Sequence, residues 1–297
     1  MKLLILAPFL VCGCMAGTSS LAPTEGDLGA NAGVAPFTVH ELGFPVVDVI
    51  INGEGPYRFL LDTGSAVTTM LERVGDELCL PASVLLKNRT SVTRGAKRIT
   101  YSRVARIESL QIGDIVFRNL DVNLRDKFPF CQDIAGVLGY DAFRGSGLQL
   151  TLDFPKGRLQ LASPRLEKLE RQIFADYSKG VPIIAVAIGL DTPHPFRARM
   201  VVDTGCTGGL VLPEKMAHEF PDMRPTHVGK VGMADSDYSV QEYTLNHDVL
   251  VGYGVHRRLP VMFYGKTEGL IGMVVLKGYV VILDTAGQRA SLILVSK

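Results

Sequence analysis

Apolar positions along the chain fall into short runs and not into long helical stripes. Residues 46–51 (VVDVII) and 183–188 (IIAVAI) are rich in β-branched side chains, and residues 59–61 (FLL) and 200–202 (MVV) are continuously apolar. Runs of this length bounded by Gly and Pro predict strands. The turn signals between them are short: Asn52-Gly53-Glu54-Gly55-Pro56 in one place and Gly189-Leu190-Asp191-Thr192-Pro193 in the other. The runs just before Asp62 and Asp203 do not alternate, which predicts strands covered on both faces. Helical pattern is scarce. Short candidates follow each of those aspartates, and a charged one spans 163–172, with Arg165, Glu167, Lys168, Glu170 and Arg171. The expected class is all-β with few short helices.

The pattern occurs twice. Phe44-Pro45 with its apolar run, then Asp62-Thr63-Gly64, then Gly113, then Gly136-Val137-Leu138-Gly139, then Leu150-Thr151-Leu152-Asp153 mark the first half. Val181-Pro182, Asp203-Thr204-Gly205, Gly252, Gly269-Leu270-Ile271-Gly272 and Val281-Ile282-Leu283-Asp284 follow in the same order in the second. Five anchors at nearly one offset predict a two-copy duplication and exclude a solenoid of short repeats. The expected lobes are 37–162 and 178–297, joined by a connector at 163–177. Each is about 120 residues, enough to hold its own core.

The N-terminus follows a different pattern. Met1-Lys2 precedes an apolar run at 3–11, interrupted by Pro8, which is too short for a bilayer span and suits a secretory signal. It ends in Val11-Cys12-Gly13-Cys14, similar to a bacterial lipobox, with Cys14 as the lipidated residue. An ordinary signal cut near Ala16 remains the open alternative. Residues 1–14 are thus expected to be a signal, and 15–36, small and polar, a flexible tether. The expected location is the bacterial cell envelope, lipid-anchored or periplasmic/extracellular, with the membrane touched only through that anchor.

Composition narrows the function classes. With 31 Lys+Arg against 30 Asp+Glu the net charge is +1 and the pI 7.7, which removes the electrostatic case for a nucleic-acid partner. At 47% hydrophobic and 21% charged the chain is not disordered. Export would leave Cys79, Cys131 and Cys206 in an oxidising compartment, with Cys79–Cys131 the first choice for a disulfide and two separate thiols the alternative.

Two copies of apolar-apolar-Asp-Thr-Gly carry the chemistry. One carboxylate held this way is an ordinary turn residue. Two brought together by a pseudo-twofold must share a proton, because like charges in contact cannot both ionise. The charged member can then take a proton from water while its protonated partner polarises a carbonyl.

On these motifs the chain resembles the aspartic peptidases of the pepsin and retropepsin clan, particularly bilobal bacterial aspartyl-protease-like lipoproteins. The resemblance runs over residues 37–297. It implies a bilobal pepsin-like acid protease fold and an aspartic endopeptidase, with Asp62 and Asp203 as the catalytic dyad. Thr63 and Thr204 would brace the two loops, and Gly64 and Gly205 would let them approach. The Val137-Leu138-Gly139 and Leu270-Ile271-Gly272 segments would thread beneath them. It implies that Ser65 offers a hydroxyl to the dyad, where Cys206 offers a weaker donor, hence a less acidic optimum. Arg94-Gly95-Ala96-Lys97 would turn a flap carrying Tyr101, although Tyr101 also reads as a plain strand aromatic. The substrate would be an extended polypeptide, the protein a monomer, and no cofactor or metal is implied. A peptide-binding or envelope-scaffold lipoprotein that keeps the fold without catalysis is the alternative.

Three decoys are set aside. Asp284-Thr285-Ala286 sits at the repeat position of Asp153 and reads as a strand end. His218-Glu219 lacks a second His at the zincin spacing and is broken by Pro221. Cys206 has no readable His partner and is not expected to be a nucleophile.

Overall fold

The computed structural model describes residues 4–5, 30–83, 91–92, 99–100, 103–128, 131–144, 146–164, 171–232, 237–265, 268–284 and 288–295. Strands dominate, and the few helices are one or two turns long. Among the described residues no helix is long and apolar enough to cross a membrane.

The first half is built on a hairpin. Strand Pro45–Ile51 pairs antiparallel with Glu54–Asp62, with Val46 opposite Leu60 and Val47 opposite Phe59. Its turn places Asn52 and Gly53 at positive φ, 51° and 90°, the twist that suits two-residue hairpin loops. Glu54–Asp62 is exposed where it leaves the turn and fully buried over its last four residues. Burial there comes from Gly136–Gly139, which runs parallel to it with Gly139 opposite Asp62 and antiparallel to Thr69–Leu71. Gly136 lies opposite Phe59, and a Cβ on it would sit 2.3 Å from the ring. Thr69–Leu71 in turn pairs parallel with Ile115–Arg125.

The second half repeats every one of these pairings. Ile183–Ile188 is antiparallel to Phe196–Val202, which is parallel to Gly269–Ile271. Gly269–Ile271 is antiparallel to Leu210–Leu212, and that strand is parallel to Leu259–Phe263. Gly269 faces Met200, where a Cβ would lie 2.4 Å from the sulfur. The duplication read from the sequence is therefore present in the sheet pairings, down to the glycine that makes room for a large apolar partner.

The last pair of anchors joins the halves. Gln149–Asp153 and Tyr279–Asp284 pair antiparallel with each other, with Leu150 opposite Leu283. Arg158–Ala162 and Arg289–Leu294 flank them, and Gly33–Pro36 and Ile173–Asp176 close the two sides. Two expectations change here. The tether expected over 15–36 contains at its end the strand Gly33–Pro36, with Ala35 fully buried. The connector expected over 163–177 contains the strand Ile173–Asp176. Both strands are four residues long, too short for alternation to show in sequence, and both are held by partners distant in the chain. Of the helix expected over 163–172, residues 165–170 lie outside the described residues, and 171–172 are not helical. Residues Leu4–Ile5 of the expected signal run parallel to Pro225–Gly232.

The main core spans both halves, and Phe44, Phe59, Tyr140, Phe143 and Tyr279 are among its largest buried side chains. A smaller apolar cluster of Val181, Ile183, Val201, Cys206, Val211, Met262 and Leu270 lies in the second half.

Gly136→Ala should lower unfolding stability by about 1–3 kcal/mol, because the new methyl meets the Phe59 ring inside a packed core. Denaturant unfolding would measure it, and adding Phe59→Leu should return part of the loss. An unchanged midpoint for Gly136→Ala would show that the register pair tolerates a side chain.

Candidate active site

Each buried strand ends in a turn that points its carboxylate inward. Asp62 Oδ1 accepts the backbone N–H groups of Gly64 at 2.8 Å and Ser65 at 3.2 Å. Asp203 Oδ1 accepts those of Gly205 at 2.9 Å and Cys206 at 3.0 Å. These donors come from the turn that follows each aspartate, so each side chain is oriented by its own loop.

The two turns lock onto each other. Thr63 Oγ1 donates to Val202 O at 2.6 Å and accepts the Thr204 N–H at 3.2 Å. Thr204 Oγ1 donates to Leu61 O at 2.6 Å and accepts the Thr63 N–H at 3.0 Å. Each hydroxyl thus serves the backbone of the opposite half, and both are fully buried. Glycine is required where the turns meet, since a Cβ on Gly64 would lie 2.4 Å from Asp203 Cγ.

The result is a pair of carboxyl groups from opposite halves in hydrogen-bonding contact, 2% and 6% exposed. Burial is the largest cause that raises the Asp62 pKa above its ordinary value, offset in part by the donors around it. Asp203 is raised well above the same value by burial and then by the charge of Asp62. At mildly acidic pH the pair holds one proton, which belongs to the two groups jointly.

Segments beneath each turn support it in the same way. Tyr140 N–H donates to Ser65 O and Met273 N–H to Cys206 O, each at 2.7 Å. Gly139 and Gly272 pass against backbone, where a Cβ would lie 2.6 Å from Val67 C and 2.4 Å from Gly208 O. One support was not foreseen. Asp141 accepts from the Thr68 N–H at 2.9 Å and the Thr68 hydroxyl at 2.7 Å, and that hydroxyl also accepts the Gly139 N–H at 3.1 Å. The signal available in sequence was Asp141 two residues beyond the Gly139 anchor, where the second half has Val274 beyond Gly272.

Two expectations about side chains do not hold. The Ser65 hydroxyl donates to Val67 O at 2.8 Å, and it is the Ser65 backbone N–H that reaches Asp62. Cys206 likewise reaches Asp203 through its N–H, while its thiol is buried within the apolar cluster. The contrast of hydroxyl with thiol at the dyad, and the less acidic optimum drawn from it, lose their basis: the nearer i+2 carbonyl wins the hydroxyl. Cys79 and Cys131 are free thiols and not a disulfide. Cys79 is exposed just past helix Glu72–Glu77, whereas the Cys131 thiol donates to Asp133 at 2.6 Å. Burial, reinforced by that carboxylate, pushes the Cys131 thiol up to about 11.

Cys14, Tyr101 and the turn 94–97 lie outside the described residues, although Ser91–Val92 and Ile99–Thr100 on either side of that turn pair antiparallel. Asp284 is buried at a strand end, and His218 is exposed in the short helix Glu214–Glu219, 2.9 Å from Glu219.

Comparison with known proteins agrees with this geometry. Residues 47–142 match the family described as Aspartyl protease, a stretch that includes Asp62 and ends before the second half. Among solved structures the chain is similar to the aspartic proteinase from Irpex lacteus, at 14% identity and a TM-score of 0.59, covering 90% of this chain and 98% of that one. The fold is that of the pepsin-like aspartic proteinases. Basic 7S globulin from soybean shares the pepsin-like fold with it at 11% identity and a TM-score of 0.52, covering 90% of this chain and 95% of that one. No curated protein matches by sequence. One of these pepsin-like neighbours is named a proteinase and the other a globulin, so chemistry has to be argued from the site.

Two outcomes follow for stability. Thr63→Val strands the Val202 carbonyl and the Thr204 N–H in a buried junction, and should lower unfolding stability by about 1–3 kcal/mol for each orphaned group. Denaturant titration checks it, and a loss no larger than that of an exposed Thr→Val would remove the brace from the account. The second concerns pH. Both carboxyls bind their protons more tightly folded than unfolded, so their contribution is complete below the ordinary value of 3.8 and is lost as pH rises through the raised folded values. Wild-type stability should therefore decline as pH rises through the weakly acidic range, by at most about 1.4 kcal/mol per pH unit per proton. Asp203→Asn should flatten the decline, and an equally steep slope in that variant would place its source elsewhere.

Proposed function

We propose that the chain is an aspartic endopeptidase that hydrolyses peptide bonds with a water molecule activated between Asp62 and Asp203. The observation that carries this reading is the buried contact of two carboxyl groups, one from each half, held by matched backbone donors. A binding protein has no need to bury two like acids against each other, an arrangement that destabilises the folded chain as pH rises.

The reaction balances on these groups alone. The ionised carboxylate takes a proton from water as its oxygen attacks the scissile carbonyl carbon, while the protonated partner gives its proton to the carbonyl oxygen. The carboxylate that gave its proton takes one hydroxyl proton back from the resulting gem-diol, and the carboxyl protonated by water gives its proton to the amine nitrogen as the C–N bond breaks. The pair ends with one proton, as it began. Burial strengthens both transfers, because the acid and base act in a low-dielectric environment.

The substrate in this reading is an extended polypeptide lying between the halves and held by main-chain hydrogen bonds of the strand-addition kind. The proposal includes export and attachment to a bacterial envelope through Cys14, supported by the residue pattern of 1–14.

The test is a diverse peptide library incubated with the purified full chain from about pH 3 to about pH 7, alongside Asp62→Asn and Asp203→Asn. Wild type should cleave internal bonds, and each variant should lose about 10²–10⁴-fold in rate. Cleavage undiminished in either variant sinks the dyad mechanism, and no cleavage by wild type leaves the non-catalytic binding protein as the better reading.

A further inference from the structure

A second cluster of reactive side chains lies outside the dyad, on the first half. His40 stands in the turn before strand Pro45–Ile51, and Cys131 and Asp133 stand just before Gly136–Gly139. His40 Nε2 is 3.7 Å from Cys131 Sγ and 3.4 Å from Asp133 Oδ1, and Cys131 Sγ is 2.6 Å from the same oxygen. The imidazole is nearly buried, while the Asp133 side chain is 47% exposed, so the cluster opens to solvent on one side.

We propose that His40 Nε2, Cys131 Sγ and Asp133 Oδ1 form a three-ligand site for a zinc-type divalent cation, with water in the fourth position. A tetrahedral zinc ion with bonds of about 2.0–2.3 Å sets its ligand atoms roughly 3.3–3.6 Å apart. The N···S and N···O separations are already close to that. The S···O separation, 2.6 Å, is shorter than a tetrahedral ion requires, so the Asp133 carboxylate has to turn away from the sulfur by about 1 Å on binding, which its exposed side allows. One thiolate, one imidazole and one carboxylate form a donor set for zinc and its borderline-soft neighbours, and not for magnesium or calcium.

The surroundings hold the ligands in place. Arg58 donates to Asp133 Oδ2, the carboxylate oxygen the ion would not use. The His40 ring stacks on Phe44 at 4.7 Å and an interplanar angle of 5°, which fixes its plane. The Ala135 N–H donates to Arg58 O at 2.8 Å and ties the Cys131–Asp133 stretch to the sheet. Ligands oriented by such partners bind metal more tightly than free ones.

Protons balance on binding. Without metal the Leu42 N–H donates to His40 Nδ1 at 3.1 Å, so the ring proton is on Nε2. Coordination moves that proton to Nδ1 and releases the Leu42 contact, and the Cys131 thiol proton leaves to solvent. One proton is released for each ion bound. The turn that must adjust also carries Gly43, which packs near Thr207 in the loop after Asp203.

Cobalt(II) titrated into the full chain under a reductant tests the site, since cobalt reports thiolate ligation by a near-ultraviolet charge-transfer band and tetrahedral geometry by intense visible bands. Wild type should bind one ion with both signals, and zinc should displace it. Cys131→Ser should abolish the charge-transfer band, His40→Ala should weaken binding at least about tenfold, and Cys79→Ser and Asp62→Asn should change neither. Long-range proton–nitrogen spectra of labelled histidine should show His40 with a protonated Nε2 before zinc and a protonated Nδ1 after it, a readout independent of variant folding. No band in wild type, a band that survives Cys131→Ser, one lost in Asp62→Asn, or an unchanged His40 tautomer would each overturn the assignment.

Discussion

Two carboxylic acids buried against each other cannot both be ionised, and the architecture around them exists to hold that unfavourable contact. Asp62 and Asp203 lose nearly all their water, and each charge opposes the other. What compensates is backbone: two N–H groups on one oxygen of each carboxylate, from the turn that follows it. Donors of this kind are fixed before any proton moves, so they stabilise a charge without reorganising. Gly64 stands where the opposite carboxyl leaves no room for a Cβ, and Gly205 holds the same place in the second copy of the motif.

The threonine brace makes the contact a property of the whole chain. Pulling the halves apart would orphan the carbonyls of Leu61 and Val202 and the N–H groups of Thr63 and Thr204, all deeply buried. At about 1–3 kcal/mol for each unsatisfied group, that junction rivals the net stability of a small domain. The strands Gln149–Asp153 and Tyr279–Asp284 add a continuous sheet across the same boundary. Neither half holds both carboxyls, and the halves do not separate cheaply.

What the sequence reveals and what it conceals divide along one physical line. Features imposed by local sterics were legible: Gly136 and Gly269 because a large side chain faces each across the sheet, and Gly64 because the Asp203 carboxyl leaves no room for a Cβ. Features decided by a competition among partners were not. Ser65 has the right chemistry for the carboxylate, yet its hydroxyl takes the nearer Val67 carbonyl. Gly33–Pro36 and Ile173–Asp176 are strands because distant edges recruit them, and four residues cannot announce a period. His40 and Cys131 are brought together by sheet register, with no spacing in the chain to mark them.

The duplication also stops short of symmetry, and the difference falls on the dyad. Beneath the first turn, Asp141 ties the Thr68 backbone and hydroxyl to the Gly139 strand. Beneath the second, Gly209 and Val274 occupy the equivalent places, and the Cys206 thiol sinks into an apolar cluster. A polar network backs the first turn, and an apolar cluster that takes in the Cys206 thiol backs the second. Burial is the largest cause that raises each carboxyl above its ordinary range, and for Asp203 the charge of Asp62 adds to it. The asymmetry therefore lies in what holds each turn, while the proton is set by the contact itself: two buried acids share one, and that leaves the charged and protonated partners which the proposed hydrolysis would need.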